Sequence, residues 1–373
     1  MTREYIIIYV IYALGVYLFS ILSNNIVLKL RQVQLLIFIF IFLNSLIAAF
    51  RPEYTQDTEI YNAVYQGSLE YILSTKITRL FANRSFYNVE VFYVIIMACF
   101  RSVFKSPVAF YFVQGLASNI LMMYALFSMC EYVFQLDTKM KRKDFFTTKG
   151  LQLYSAYLLM VGILFTSSAI RVGLSVALGF WGVSNMMLNR RNITSIILLV
   201  LSIWIHTTSI VFVPIVIFLK IWKHRLSAKW LYLFAIILPI MYLIGVGRYS
   251  VEILAKLVIH ILESFNIQAF YSYVRNLEFI IPMREGWILV LTCILMCLTY
   301  AKNKNLHKYL YVVLIGLFML VLAYPIPAIA RLLYIFVIFL LPVLMEKTRY
   351  SRLSQVLTIL YFVPQYVYVF GYL

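Results

Sequence analysis

Apolar runs long enough to cross a bilayer recur along most of this chain, and they constrain its fold more than any other feature. A transmembrane helix needs about 20 predominantly apolar residues. Charged residues make up only 12% of the 373 residues, whereas soluble domains have about 25%. Because a backbone in lipid must satisfy its own hydrogen bonds, the sequence predicts an all-α, polytopic membrane protein. The spanning runs are residues 4–22, 33–50, 108–130, 151–168, 172–188, 230–246, 286–300, 309–324, 329–345 and 355–371.

Two further apolar segments can be interpreted only from their length and flanks. Segment 89–100 is short and carries Glu90, which is typical of an interfacial or re-entrant segment. Segment 193–221 is too long for one ordinary span and has basic residues at both ends. Since basic flanks favour the cytoplasm, we predict a hairpin of two short helices that turns near His206. The chain would then have about 12 transmembrane helices with both termini outside.

The net charge of +18 is distributed unevenly between the two sides of this topology. The inside segments hold 19 of the 32 basic residues but only four of the 14 acidic residues, as the positive-inside rule requires. Ten of the 13 outside basic residues are arginine, which binds phosphate and carboxylate with a planar fork. The basic residues therefore indicate membrane topology and an anion-binding outer face, and they argue against nucleic acid as a partner.

No linker, repeat or low-complexity tract divides the chain, so we predict a single integral membrane domain over residues 1–373. Its substantial loops are both external and cover about residues 51–107 and 247–285. The second loop contains a polar stripe at helical spacing, which predicts an amphipathic helix at the membrane surface. The stripe consists of Glu252, Lys256, His260 and Glu263.

Arg171 and His206 interrupt apolar runs where an unpartnered charged or titratable side chain costs several kcal/mol. The topology places both near the outer membrane boundary, together with Arg51, Asp57 and Arg331, so we expect one shared cavity. Histidine exchanges protons near neutral pH, which makes His206 a candidate general base. The alternatives are that the arginines reach lipid phosphates at helix ends and that His206 is a hydrogen-bonded core residue.

The first external loop carries a second candidate feature. On a helix, Asp57, Tyr61 and Tyr65 would share one face. Aromatic rings stack on sugars and carboxylates accept hydroxyl hydrogen bonds, so this face suits a glycan; the alternative is that the tyrosines anchor the membrane interface. Asp57 and Glu59 also form an acidic pair that would be able to hold a divalent cation.

At these residues the chain resembles the bacterial polysaccharide polymerases of the Wzy and EpsG type. The resemblance runs from about residue 51 to 345 and depends on the order and spacing of short motifs. The matching elements are Arg51 with Asp57, Tyr61 and Tyr65, the Glu90-Val-Phe-Tyr segment, Arg171 before Gly173 and Ala177, the Ile205-His206-Thr207-Thr208-Ser209 segment, and Arg331 followed by Tyr334.

The resemblance implies a glycosyltransferase that polymerises undecaprenyl-pyrophosphate-linked oligosaccharide repeat units at the outer face of the bacterial cytoplasmic membrane. Arg171 and Arg331 would stabilise the departing pyrophosphate, and His206 would be the base, with Asp57 as the alternative base. The substrate would also contact Arg51, Glu59, Tyr61 and Tyr65. No cofactor or metal is expected, and a chain-length regulator is an expected partner.

Two other functions fit the same sequence features. A flippase or exporter of lipid-linked oligosaccharides also needs about a dozen spans and an arginine-lined cavity. A metal-dependent lipid-phosphate glycosyltransferase would use Asp57 and Glu59 as ligands. The absence of duplicated halves in the sequence argues against the transporter.

Overall fold

The computed structural model describes residues 2–23, 26–51, 58–74, 85–86, 89–190, 192–221, 227–247, 249–253, 256, 284–323, 332–347 and 351–370. These residues are almost entirely helical, as predicted, apart from a short antiparallel pair of β1 (Ser85–Phe86) and β2 (Val89–Glu90). The helices are α1 (Thr2–Leu22), α2 (Leu30–Ala49), α3 (Thr58–Ser74), α4 (Val91–Arg101), α5 (Pro107–Val133), α6 (Lys139–Tyr157), α7 (Ile170–Met187), α8 (Asn192–Ile205), α9 (Phe212–Ile221), α10 (Ala228–Leu243), α11 (Arg284–Tyr300), α12 (His307–Ala323), α13 (Leu333–Val337), α14 (Leu340–Val343) and α15 (Ser351–Phe370).

Among the residues that the structure describes, three helical segments are long and apolar enough to cross a membrane by themselves: Leu30–Ala49, Pro107–Val133 and Lys304–Leu322. Seven further apolar helical segments are shorter. Large apolar side chains such as Phe42 and Leu43 point outward from α2, and lipid is the solvent that accepts such a surface without penalty. The membrane class is therefore supported, while the count of about 12 spans stays a prediction.

The described helices group into two compact units, and each is described by itself. The first comprises residues 1–222 with 365–373, and the second comprises residues 223–364. In the first unit α5 packs along both α2 and α7. The Asn44 side-chain amide donates to the Asn119 side-chain oxygen across the α2–α5 contact at 3.2 Å, so a hydrogen bond between side chains joins these two apolar helices.

In the second unit α12 packs closely against α13, where the Phe336 side chain occupies the space beside Gly316. The Tyr311 hydroxyl donates to the Ser227 carbonyl oxygen at 2.9 Å and ties α12 to the start of α10. Of the predicted amphipathic stripe, Glu252 and Lys256 form an exposed ion pair at 2.9 Å. His260 and Glu263 lie outside the described residues.

The predicted hairpin is present, because α8 ends at Ile205 and the chain reverses at His206. Short helices α8 and α9 then both pack along α7. Ser175 of α7 faces Ser209, and Gly179, one turn later, faces Phe212, so α9 runs parallel to α7. Helix α8 runs in the opposite direction, since Gly182 lies against Leu199 and Ser175 bonds to Ser202.

Segment 89–100 begins with β2 and continues into the 11-residue helix α4. A helix of that length extends about 16 Å, whereas the hydrocarbon core of a bilayer is about 30 Å thick. Helix α4 is therefore too short to span as a straight helix, in agreement with the sequence prediction.

The chain between α6 and α7 contains two π-helical turns, Leu158–Gly162 and Leu164–Ser168. They end at Ala169, after which α7 starts a new helical direction. A side chain at Gly173 would meet the Phe165 carbonyl oxygen at 2.4 Å, so only glycine lets the first turn of α7 approach the π-helical backbone this closely. This contact fixes the start of α7, where Arg171 lies.

The substitution Gly173→Ala tests this contact. Because the added methyl group would collide with backbone, which cannot rotate away, we expect a loss of about 1–3 kcal/mol in unfolding free energy. Gly15→Ala is the control, since nothing lies within 4 Å of a side chain at that position. Thermal unfolding of both variants in detergent measures the difference, and equal stability would contradict the close approach.

Candidate functional site

A single carboxylate, that of Glu90, connects two of the predicted site residues. Glu90 is the last residue of β2 and precedes α4. One carboxylate oxygen accepts from the Arg171 guanidinium, and the other lies 2.6 Å from His206 Nδ1. The backbone N–H of Thr207 also donates to this second oxygen at 3.3 Å. The carboxylate therefore holds the start of α7 and the tip of the α8–α9 hairpin together.

The backbone around these side chains is fixed by further polar contacts. Gln114 of α5 donates to the Ile170 carbonyl oxygen at 2.9 Å and accepts from the Tyr93 hydroxyl. At the hairpin, the Ser175 hydroxyl donates to the Ser202 carbonyl oxygen at 2.8 Å. The side chains of Arg171 and His206 thus project from anchored helix ends, which is what a preorganised site needs.

Opposing effects act on the charge of Glu90. Burial favours the neutral carboxyl group and would raise its pKa, but the hydrogen bond to His206 and the charge of Arg171 favour the ionised form. Burial is the largest single effect, but the contributions of His206 and Arg171 together outweigh it, so the pKa of Glu90 lies below its ordinary value. Glu90 is therefore an ionised partner at neutral pH.

Arg51, which follows α2, lies beside this cluster and is only 6% exposed. Its guanidinium carbon lies 3.9 Å from the centre of the Tyr111 ring and 5.5 Å from that of Tyr61, distances at which cation–π attraction operates. All three of its guanidinium nitrogens lack a hydrogen-bond partner among the residues that the structure describes. Burying an unpaired cation is costly, so this arrangement is suited to binding an anion.

Tyr61 connects the two arginines. Its hydroxyl accepts from Arg171 Nε at 3.2 Å, and the guanidinium carbon of Arg171 lies 5.6 Å from its ring centre. The centre of the same ring lies 5.5 Å from the guanidinium carbon of Arg51. The structure therefore places Arg51, Tyr61, Arg171 and His206 together, as the topology predicted for the two arginines and the histidine.

Other predicted site residues have different places. Tyr65 is fully buried, and its hydroxyl donates to the Phe104 carbonyl oxygen at 2.7 Å. Tyr61 is also buried, at 2% exposure, so the expectation of an open sugar-stacking face is corrected: these rings pack inside the protein. Glu59 is exposed in the first turn of α3. Asp57 and Arg331 lie outside the described residues, and α3 begins one residue after Asp57.

Two contributors were not assigned a role from the sequence. The charge of Glu90 indicates that its short segment does not span, and an acid in an apolar segment also needs a cationic partner. Tyr111 lies within a predicted span and is one of 30 tyrosines, so no local signal distinguished it. Its hydroxyl donates to Asn62 at 2.7 Å, which fixes the ring under Arg51.

A second charged cluster lies beyond the other end of α7. Buried Glu131 lies 2.7 Å from Arg190 and 3.7 Å from Arg142. Helix α7 has 18 residues, and a helix of that length extends about 27 Å. The residues that charge accounting assigned to the inside thus lie at the opposite end of this helix from Arg171.

The fold and the site define a class of protein. It is a helical membrane protein in which an ionised carboxylate, a histidine and two arginines lie together at one end of the bundle. The sequence model of the EpsG family matches residues 34–373. The chain therefore belongs to the EpsG family of Wzy/EpsG-type polysaccharide polymerases, which confirms the resemblance. No curated protein matches the chain in sequence, and no solved structure matches it.

Glu90→Gln tests whether the carboxylate charge holds the site together. The side chains of Glu90 and Arg171 are 17% and 13% exposed, so removing the charge leaves a largely buried cation unpaired, and we expect a loss of about 3 kcal/mol in stability. Asp137→Asn is the matched control, because Asp137 forms an exposed ion pair with Lys141 and its loss costs at most about 1 kcal/mol. Equal effects in thermal unfolding would contradict the claim.

The lowered pKa of Glu90 also predicts a pH dependence. A carboxylate with a lowered folded-state pKa stabilises the fold above its unfolded value of about 4.3, and this contribution is lost as the pH falls through the folded-state pKa. The stability difference between the wild type and Glu90→Gln should therefore be present at about pH 5 and shrink below about pH 4. Thermal unfolding across this range measures it, and a difference that disappears at about pH 6 would exclude the mechanism.

Proposed function

We propose that this protein polymerises undecaprenyl-pyrophosphate-linked oligosaccharide repeat units at the outer face of the bacterial cytoplasmic membrane. Membership of the EpsG family supports polysaccharide polymerisation. The observation that carries the proposal is the buried Arg51 guanidinium, which has no hydrogen-bond partner among the described residues, in the cluster that contains a histidine–carboxylate pair. An anion site next to a base is what transfer from a pyrophosphate-linked donor requires.

In this proposal His206 is the general base and Glu90 positions it. If Nδ1 carries the proton that binds the ionised Glu90 carboxylate, Nε2 is left with its lone pair. His206 Nε2 has no hydrogen bond to the described residues, and the side chain is 17% exposed. This nitrogen is therefore available to take a proton from an acceptor sugar hydroxyl.

The two arginines would have different roles. The charge of Arg171 is already balanced by Glu90, so its main effect is to hold the Glu90 carboxylate and the Tyr61 hydroxyl in place. Arg51 has no such partner in the part of the chain that the structure describes, which makes it the better candidate for the departing pyrophosphate. This modifies the sequence-based hypothesis, in which Arg171 and Arg331 bound the leaving group.

The reaction is a displacement at the anomeric carbon of the donor sugar. The acceptor oxygen forms the new glycosidic bond and gives its proton to His206, while the bond from the anomeric carbon to the pyrophosphate oxygen breaks. The leaving pyrophosphate keeps the electron pair, and a preorganised cation stabilises this charge in a site of low dielectric constant. Arg331, Asp57 and Glu59 remain candidates for further substrate contacts, and a chain-length regulator remains a candidate partner.

Complementation of a deletion strain tests the function. We expect the strain to carry single repeat units on its lipid carrier or acceptor, and the wild-type protein to restore a ladder of long chains. His206→Ala and Arg51→Ala should each lower polymer formation by at least about 100-fold, because each removes a group that acts in the transition state. Gel analysis of the surface glycan measures the chain lengths.

Arg31→Ala is the control for loss of a positive charge. Arg31 is exposed in the first turn of α2, so this variant should give wild-type chain lengths. Membrane levels of every variant are compared by immunoblot. Normal chain lengths from His206→Ala would eliminate it as the base, and lipid-linked repeat units retained on the cytoplasmic side of the deletion strain would indicate a flippase instead.

A further inference from the structure

An open groove of about 550 Å³ lies on the first unit, away from the Glu90 cluster. Three helices form its walls. Apolar side chains line most of its length, including Phe38 and Ile41 of α2 and Ile120 of α5. The basic side chains of Lys139, Arg142 and Lys143 from α6 complete the lining.

The basic residues lie at one end of this groove. Helices α2 and α6 run in the same direction, because Gly150 lies against Val33 and Ile37, while the Tyr12 hydroxyl contacts both the Phe40 carbonyl and Tyr154. Lys139 and Lys143 precede Gly150 by about two to three turns, which places them towards the start of α2. The groove thus has a cationic end and an apolar body.

The length of the apolar body matches half a bilayer. The lining residues of α2 extend from Leu30 to Ile41, a helical distance of about 16 Å. The hydrocarbon core of a bilayer is about 30 Å thick, so one leaflet contributes about 15 Å. An acyl chain whose headgroup lies at the cationic end would therefore fill the groove along its length.

Acidic side chains balance only part of the positive charge at this end of the groove. Lys141 pairs with Asp137 and Arg142 lies near Glu131, but Lys139 and Lys143 form no ion pair within the described part of the chain. These two lysines are four residues apart on one helix, a spacing at which like charges repel. A bound anion would offset this repulsion.

We propose that this groove binds one anionic phospholipid, with its headgroup on Lys139 and Lys143 and an acyl chain along α2 and α5. Basic pockets between transmembrane helices are suited to such headgroups. The exposed aromatic ring of Tyr124 adds apolar surface for the chain. The site does not depend on the polymerase reaction, and its binding can be measured without substrate.

Native mass spectrometry of the full chain in detergent tests the proposal. The protein is titrated with phosphatidylglycerol and, separately, with phosphatidylcholine of the same acyl chains. We expect one phosphatidylglycerol to bind at least about tenfold more tightly than phosphatidylcholine. The double variant Lys139→Ala/Lys143→Ala should lose this preference, and because both lysines are exposed, its fold should be unchanged.

Two further variants make the test specific. Lys141→Ala removes an exposed lysine of the same helix that does not line the groove, and it should keep the preference. Ile120→Trp fills the apolar body and should weaken binding of both lipids. Equal binding of the two lipids by the wild type, or an equal effect of Lys141→Ala and the double variant, would overturn the proposal. Displacement of the lipid by millimolar inorganic phosphate would also overturn it, because the site would then bind a free anion.

Discussion

The ionised carboxylate of Glu90 is the interaction on which the arrangement of the site depends. It contacts Arg171 at the start of α7 and His206 at the tip of the α8–α9 hairpin. Arg171 and His206 lie in segments that are otherwise apolar and suited to lipid. A charge in such a position is tolerated when it is paired, so one acid permits both interruptions and determines where the segments meet.

The backbone features around the carboxylate serve the same geometry. The π-helical turns and the close approach at Gly173 set the start of α7, and the bond from Gln114 to the Ile170 carbonyl holds it to α5. Arg51 is different, since aromatic rings hold its guanidinium and no acid among the described residues pairs with it. The site therefore combines a balanced pair, which gives rigidity, with an unbalanced cation, which leaves capacity for an anion.

Charge patterning predicted the convergence of Arg171 and His206, because a topology that satisfies the positive-inside rule places both at one membrane face. It does not identify their common partner, since Glu90 lies in a short segment whose packing against α7 and the hairpin is not specified by charge patterning. Helical spacing correctly put Tyr61 and Tyr65 on one face, but periodicity cannot tell whether such a face meets a ligand or the core. Both rings are buried, and packing between helices, which sequence does not encode locally, decides this.

A double-mutant cycle between Glu90 and Arg171 tests the central claim most directly. The free energy of unfolding in detergent is measured for the wild type, Glu90→Gln, Arg171→Gln and the double variant. If the carboxylate and the guanidinium form one buried pair, each single change removes the ionic partner of the other side chain, and the double change removes both charges. The two effects should then differ from additivity by about 2 kcal/mol, whereas additivity within about 0.5 kcal/mol would show that the pair does not organise the site.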